Sequence, residues 1–177
     1  MKVITAPENY KITSYDVKCF LAGGITGCHD WQKELIEELD KYGLDDLTLF
    51  NPKREKFDTS DRNATYDQIC WEFVYLNSMD IFSVYFTKDT LQPITLYELG
   101  RYIEVMKNTF PRDYEKRIII SIEPGYERAD DVIIQTNLAF DECKSDSRIP
   151  NIWYQASSIE QHAKEIFKAY SWINRKW

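Results

Sequence analysis

The sequence is poor in the residues and patterns that hold metals and cofactors. It has two histidines, His29 and His162, far apart in the chain, and four cysteines without a C-x-x-C spacing. Structural zinc sites need clustered Cys and His ligands, so we expect no metal. The sequence also lacks the G-x-G-x-x-G pattern of dinucleotide-binding loops and the G-K-[ST] ending of a P-loop. We therefore expect no organic cofactor.

Long apolar runs and an excess of positive charge are also absent. No run approaches the roughly 20 residues of a membrane span, and residues 1–16 lack the apolar stretch of a signal peptide. We therefore expect a soluble cytoplasmic protein. The net charge of −7, from 22 basic and 29 acidic residues, disfavours a surface for nucleic acid or anionic lipid. The expected ligands are small molecules, without nucleic acid or membrane.

The sequence does contain an alternation of short apolar strands and amphipathic helices. Its 177 residues, 44% of them hydrophobic, fit a single domain over residues 1–177. Residues 1–14 are expected to be either a flexible tail or an edge segment. The predicted strands are residues 16–22, 47–50, 80–86, 115–122 and 152–155, and the predicted helices begin near residues 30, 66, 93 and 157, with 129–140 ambiguous. Continuous apolar strands between helices predict a doubly wound α/β domain, with a mostly parallel five-stranded sheet and helices on both faces.

Ligands of such sheets bind beyond the carboxyl ends of the strands. This edge should carry residues 23–28, 51–53, 87–93 and 123–131. The first of these segments begins with the sequence GGITG, for which two interpretations are evenly balanced. It is either a tight turn that lets strand and helix approach, or a loop that contacts a ligand. It contains no Lys or Arg and is therefore poorly suited to a phosphate.

Glu98 is the charged residue that fits its predicted helix least. At about 100° per residue, the helix from residue 93 places Glu98 inside an apolar arc, between Val105 and Tyr102. A carboxylate is rarely placed on a buried face without a partner or a task. Glu98 is therefore either a functional residue or the ion-pair partner of Arg101 or Lys88.

The preceding helix and the residue that follows it carry two further acidic candidates. Asp80 opens the third predicted strand, and its position alone favours a helix-to-strand turn stabilised by local hydrogen bonds. Glu72 is assigned to the polar side of the helix, as a solvated or paired residue. That helix is expected to bury the side chains of Ile69, Phe73, Val74 and Leu76.

Four segments together resemble nucleoside 2-deoxyribosyltransferases and their N-glycosidase relatives. They are FLAGGITGCHDWQ, NPKREKF, QICWEFVYLNSMDIFSVYF and TLYELGRY, in that order along the chain. The resemblance covers residues 17–107 and extends more loosely over the rest. It implies a Rossmann-like domain without a dinucleotide cofactor, which cleaves the N-glycosidic bond of a (deoxy)nucleoside.

The resemblance also implies which residues do the chemistry. It gives the role of nucleophile to Glu98 of the E-L-G motif, and assistance to the base or its proton to Asp80. Cys19-Phe20 stand where some members carry a tyrosine that hydrogen-bonds the nucleophile. The base and sugar pocket is expected at Gly23, Gly24, Ile25 and Thr26.

Three more residues are candidates for substrate contact. Gln92 is the nearest match to an aspartate that holds the sugar hydroxyls in some members. Asn51 follows the second predicted strand at the same sheet edge. The segment ADDVII resembles one that a neighbouring subunit contributes, which nominates Asp131 and a homo-oligomer with shared sites. An aromatic content of 15% also favours buried interfaces.

The function that these observations favour is transfer of a deoxyribosyl group from a 2′-deoxynucleoside to another nucleobase. One alternative is an N-glycosidase that hydrolyses a nucleoside or nucleotide, for which Lys53 and Arg54 could reach a 5′-phosphate. Another is a nucleotide-binding module without catalysis. The products distinguish them, because transfer gives a new nucleoside and hydrolysis gives free sugar.

Overall fold

A computed structural model describes residues 1–13, 15–55, 60–109, 116–141 and 153–174 of the protein. Within these ranges the strands are β1 (Lys2–Thr5), β2 (Val17–Gly23), β3 (Leu47–Asn51), β4 (Ile81–Phe86), β5 (Arg117–Ile122) and β6 (Trp153–Ala156). The helices are α1 (Trp31–Asp40), α2 (Arg62–Ser78), α3 (Pro93–Thr109), α4 (Ala129–Asp141) and α5 (Ile159–Asn174). The ambiguous segment 129–140 is therefore helical.

The described strands form one parallel sheet in the order β1-β3-β2-β4-β5-β6. The predicted doubly wound α/β fold is confirmed. The five predicted strands are present, and β1 adds a sixth at the edge, where Lys2 pairs with Thr48 and Thr5 with Asn51. Residues 1–14 thus contain the edge segment that was one of two alternatives. Four residues are too few to show a periodicity, so the sequence alone could not decide between them.

Helices cover both faces of the sheet and create two apolar cores. One core contains side chains of α2, α3 and α4, among them Trp71, Tyr102 and Phe140. The other contains side chains of α1 and α5, such as Trp31 and Ile166. Among the helices of the described ranges, none is long and apolar enough to cross a membrane.

Helix α5 is fixed to the sheet by His162, which is fully buried. The hydroxyl of Ser83 on β4 lies 2.7 Å from its Nε2, and the hydroxyl of Ser121 on β5 lies 2.6 Å from its Nδ1. Burial lowers the pKa of His162 to about 3, so the ring is neutral at physiological pH. A neutral imidazole has one donor and one acceptor nitrogen, which matches two hydroxyl partners.

The strand order places a crevice beside β2. Strand β2 lies between β3 and β4, so the connections leaving β2 and β4 run to opposite sides of the sheet. Helix α1 follows β2 on one face, and α3 follows β4 on the other. In open α/β sheets, ligands bind at this type of switch point, beyond the carboxyl ends of the strands.

Helix α2 is rotated relative to the sequence prediction. Of the four apolar residues expected to be buried, Ile69, Phe73 and Val74 are exposed, and only Leu76 is buried. The residues buried in this helix are Gln68, Trp71, Tyr75 and Leu76. The prediction was wrong because both sides of α2 carry large apolar residues, so that periodicity does not distinguish them.

Candidate active site

A cavity of about 480 Å³ opens at the switch point, between the loop after β2, helix α2 and the start of α3. Its walls are mostly apolar or uncharged, and its two carboxyl groups belong to Glu72 and Glu98. The lining residues include Phe20, Ala22, Gly23, Gly24, Ile25, Thr26, Pro52, Gln68, Ile69, Leu91, Gln92, Ile94 and Thr95. A concave, largely apolar pocket with a few convergent polar groups is typical of a small-molecule site.

The loop after β2 reaches the cavity as predicted, since Gly23, Gly24, Ile25 and Thr26 all line it. A Cβ atom at Gly23 would lie 2.5 Å from the Trp31 side chain and from the carbonyl oxygen of Tyr85. The glycine therefore allows the close approach of strand and helix that was one interpretation of GGITG. The second interpretation, contact with a ligand, stays a prediction.

Gln92 lines the cavity and hydrogen-bonds the loops on either side of it. Its Oε1 accepts a hydrogen bond from the backbone N–H of Gly24 at 2.8 Å, and its Nε2 donates to the Thr87 carbonyl at 2.8 Å. Its backbone φ of 50° is unusual for a residue other than glycine. Because Gln92 is 6% exposed and its amide bonds the protein on both sides, it positions the two loops of the switch point. The predicted role in holding the sugar hydroxyls gains no support from these contacts.

Glu98 lies in the second turn of α3 and faces the cavity, partly buried. Burial, and to a smaller extent the nearby Glu72 carboxylate, raise the pKa of Glu98 to about 8 against the opposing charge of Arg101. Within the described part of the chain, Glu98 makes no ion pair or hydrogen bond. Neither Arg101 nor Lys88 forms the structural ion pair that was the alternative. A perturbed carboxyl group in a cleft is a candidate functional residue.

Glu72 is the second carboxyl group of the cavity, although its sequence pattern predicted a place on the polar side of its helix. Burial raises its pKa, while the hydrogen bond from Gln68 and the charge of Arg54 lower it. The Gln68 Nε2 donates to Glu72 Oε1 at 2.7 Å and to the carbonyl of Pro52 at 2.9 Å. The error follows from the rotation of α2, since the face that carries Gln68 and Glu72 is turned toward the cavity.

Asp80 lies at the opposite end of the sheet. It precedes β4, and its Oδ2 accepts from the backbone N–H of Lys18 and from the Lys18 ammonium, both at 2.8 Å. Asp80 does not line the cavity. The prediction that Asp80 works beside Glu98 is corrected: a residue at the amino end of a parallel strand lies away from the carboxyl edge where the cavity opens. The local hydrogen bonds expected from its position alone are not the observed ones either, because within the described residues the Asp80 carboxylate is bound by Lys18 of the neighbouring strand β2.

Asn51 and Asp131 are also outside the cavity of their own chain. Asn51 lines a neighbouring groove of about 820 Å³, and its Oδ1 accepts from the backbone N–H of Lys53 at 3.0 Å. Asp131 lies in the first turn of α4, exposed and ion-paired with Arg128 at 3.0 Å. Asn51 is therefore not brought together with Glu98, while the exposed Asp131 is accessible to another subunit.

No Lys, Arg or His of the described ranges lines the cavity. The Lys53 ammonium lies in the neighbouring groove and pairs with Asp30 at 2.8 Å. Arg54 lines the same groove. The cavity is thus acidic, and a phosphate dianion bound within it would meet two carboxyl groups without a lining cation.

The fold and the site together define an α/β protein with a two-carboxyl cavity at its switch point. A family model described as "Nucleoside 2-deoxyribosyltransferase like" matches residues 16–110, more than half of the chain. The chain belongs to this family, whose members process nucleosides. The match includes Glu72, Glu98 and the loop after β2, and ends before Asp131. Comparison with curated proteins finds no match.

Proposed function

We propose that the protein cleaves the N-glycosidic bond of 2′-deoxynucleosides and transfers the deoxyribosyl group to another nucleobase, with Glu98 as nucleophile. The observation that carries this proposal is the pair of carboxyl groups, Glu72 and Glu98, in one cavity whose other lining residues are uncharged, in a chain from this family. A volume of about 480 Å³ suits a nucleoside-sized ligand.

The reaction proceeds in two displacements at C1′. The Glu98 carboxylate forms a bond to C1′ as the C1′–N bond breaks, and the bonding electrons leave with the base, which takes up a proton. The transition state has oxocarbenium character, which a carboxylate beside C1′ stabilises. A nitrogen of the second base then attacks C1′, displaces Glu98 and loses its proton.

Glu72 replaces Asp80 as the proposed proton donor to the leaving base. Two carboxyl groups in one low-dielectric site do not both ionise readily, so the pair keeps one proton near neutral pH. Gln68 donates to Glu72 and favours its ionised form in the free site. Positive charge developing at C1′ favours the ionised form of Glu98, and the proton is then available to Glu72 and the base.

The proposed active form is a homo-oligomer. Helices α2, α3 and α4 cover the same face of the sheet, and their outer sides carry large exposed apolar residues. These are Ile69, Phe73 and Val74 on α2, Ile94 and Tyr97 on α3, and Ile134 and Leu138 on α4. Exposed apolar patches of this kind mark interaction sites. Ile69 and Ile94 also line the cavity, so a second copy on this face would shield the site from water.

A base-exchange assay tests the proposed function. The protein is incubated with 2′-deoxyinosine and adenine, and the products are separated by chromatography. The proposal expects 2′-deoxyadenosine and hypoxanthine. Free deoxyribose without exchange would indicate the hydrolase, and binding without any product would indicate the non-catalytic module.

A further inference from the structure

The hydroxyl group of Tyr102 has no hydrogen-bond partner in the described part of the chain, although the residue is only 2% exposed. Its ring packs on Phe82 of β4, with centroids 5.4 Å apart, and the Arg101 guanidinium lies 5.3 Å from its centroid. A buried tyrosine hydroxyl normally has a partner, because leaving a buried donor unsatisfied is unfavourable. The packing of the ring therefore does not explain why a hydroxyl group is present at this buried position.

Glu98 lies one helical turn before Tyr102 on α3. Residues four apart lie on the same side of a helix, and long side chains in helices lean toward the N-terminus, which is the direction of Glu98. Burial raises the pKa of Tyr102, and the charge of Glu98 raises it further. The hydroxyl therefore keeps its proton and can act as a donor.

A donor and an acceptor that both lack partners are thus one turn apart. The strand side of the cavity contributes Phe20 and Ala22, which have no side-chain donor. The titratable or charged groups facing Glu98 are Glu72 on α2 and Arg101 with Tyr102 on α3. Of these, the neutral hydroxyl of Tyr102 can donate to the carboxylate without adding charge.

We propose that the Tyr102 hydroxyl donates a hydrogen bond to the ionised Glu98 carboxylate and holds it for attack on C1′. Tyr102 is then a positioning residue, which acts through Glu98 and is too buried to touch the nucleoside. The role of Tyr102 in the reaction rests on the proposed function. The proposed bond forms when Glu98 ionises, whether or not substrate is bound, because ionisation makes the carboxylate a stronger acceptor.

The Tyr102→Phe variant removes the hydroxyl and keeps the ring. Because a hydrogen bond to a charged group is stronger than one between neutral groups, losing it from the nucleophile should lower kcat roughly 10- to 100-fold, with little change in KM. Loss of a donor to the charged form raises a carboxyl pKa, so the basic limb of the pH profile, expected near pH 8, moves to higher pH. The Tm should stay the same or rise, because the hydroxyl has no other partner in the described residues.

The matched control is Tyr170→Phe, a buried tyrosine of α5 in the other core. It should leave kcat and the pH profile unchanged. Unchanged kcat and pH limbs in Tyr102→Phe, with an active wild-type protein, would overturn the inference.

A titration of the Glu98 carboxyl carbon by NMR in the free protein separates this inference from the proposed function. The Glu98 pKa should be higher in Tyr102→Phe than in the wild-type protein, whether or not the protein turns over a nucleoside. An unchanged Glu98 pKa would overturn the inference. Absence of any product from the wild-type protein would instead overturn the proposed function.

Discussion

Glu72 on α2 and Glu98 on α3 face one cavity, and the Glu72 carboxylate is one of the causes of the raised pKa of Glu98. Two coupled carboxyl groups titrate as a unit, so their protons belong to the pair. In the proposed reaction, one member attacks as a carboxylate while the other supplies a proton. A pair that holds a single proton near neutral pH meets both requirements.

The roles of the two carboxyl groups can be separated with Glu72→Gln. For 2′-deoxyadenosine, loss of the proton donor should lower kcat about 10²- to 10⁴-fold. For 7-methyl-2′-deoxyguanosine, whose base is already cationic and leaves without a proton, the loss should be within tenfold by the same reasoning. The exposed Asp67→Asn on the same helix is the control and should be near wild type with both substrates. Equal losses on both substrates would contradict the role of Glu72.

The pH dependence of kcat/KM should be bell-shaped. Below its acidic limb the pair takes up a second proton, and Glu98 loses its charge. Above pH about 8, the raised pKa of Glu98, the pair loses its last proton and the leaving base is no longer protonated. A stopped assay at intervals of roughly one pH unit, from about pH 4 to about pH 10, measures this profile and its two limbs. A rate that keeps rising above pH 8 would contradict the shared proton.

Asp80→Asn should affect stability rather than catalysis. Asp80 lies at the amino edge of the sheet and pairs with Lys18 at 2.8 Å, away from the cavity. Loss of this partly buried ion pair should lower the free energy of unfolding by about 1–2 kcal/mol. We expect kcat within a few-fold of wild type below the Tm. A loss of turnover in a folded variant would contradict this expectation and indicate that Asp80 has a role in the reaction.

The apolar face of α2, α3 and α4 should hold copies of the chain together. Phe73→Glu places a charge on this face, where Phe73 is 51% exposed in the single chain. Light scattering should show an oligomer for the wild-type protein and a smaller species for the variant. The exposed Lys164→Glu on α5 is the control for added negative charge. A wild-type monomer with full activity would contradict the shared site.

Asp131→Ala extends the same prediction to the segment nominated by the resemblance. Because Asp131 is exposed and outside the cavity of its own chain, its loss should leave the Tm nearly unchanged. Activity should fall, because in the proposed oligomer Asp131 contributes to the site of a neighbouring copy. Full activity of an intact Asp131→Ala oligomer would contradict the proposal that Asp131 contributes to a neighbouring site.

The sequence was sufficient to predict five of the six strands and four of the five helices in the described part of the chain, and to single out Glu98 as an unusual carboxyl group. Continuous apolar strands are recognisable individually, and Glu98 stood out because a carboxyl group fell within an apolar arc. That arc was too broad, since Ile94 and Val105 are exposed. The border position of Glu98, partly buried and facing a cavity, depends on how α3 sits against the sheet, which periodicity alone does not determine.

Glu72 was missed for a related reason. Helix α2 has apolar residues on both sides, so the choice between Trp71 with Tyr75 and Phe73 with Val74 as the buried set depends on tertiary packing. Asp80 could have been set aside from the sequence, because a residue that opens a parallel strand lies at the amino edge. The short edge strand β1 and the hydrogen bonds by which Gln92 joins the two loops also depend on tertiary structure and could not be predicted from the sequence.

The most direct measurement is covalent trapping of the nucleophile. A 2′-deoxy-2′-fluoro nucleoside slows breakdown of a glycosyl-enzyme, because fluorine destabilises the oxocarbenium-like transition state. After incubation and proteolysis, peptide mass mapping should find the fluorodeoxyribosyl group on Glu98, with no label in Glu98→Gln and turnover lost in that variant. Label on another residue, or a Glu98→Gln rate within a few-fold of wild type, would contradict the account.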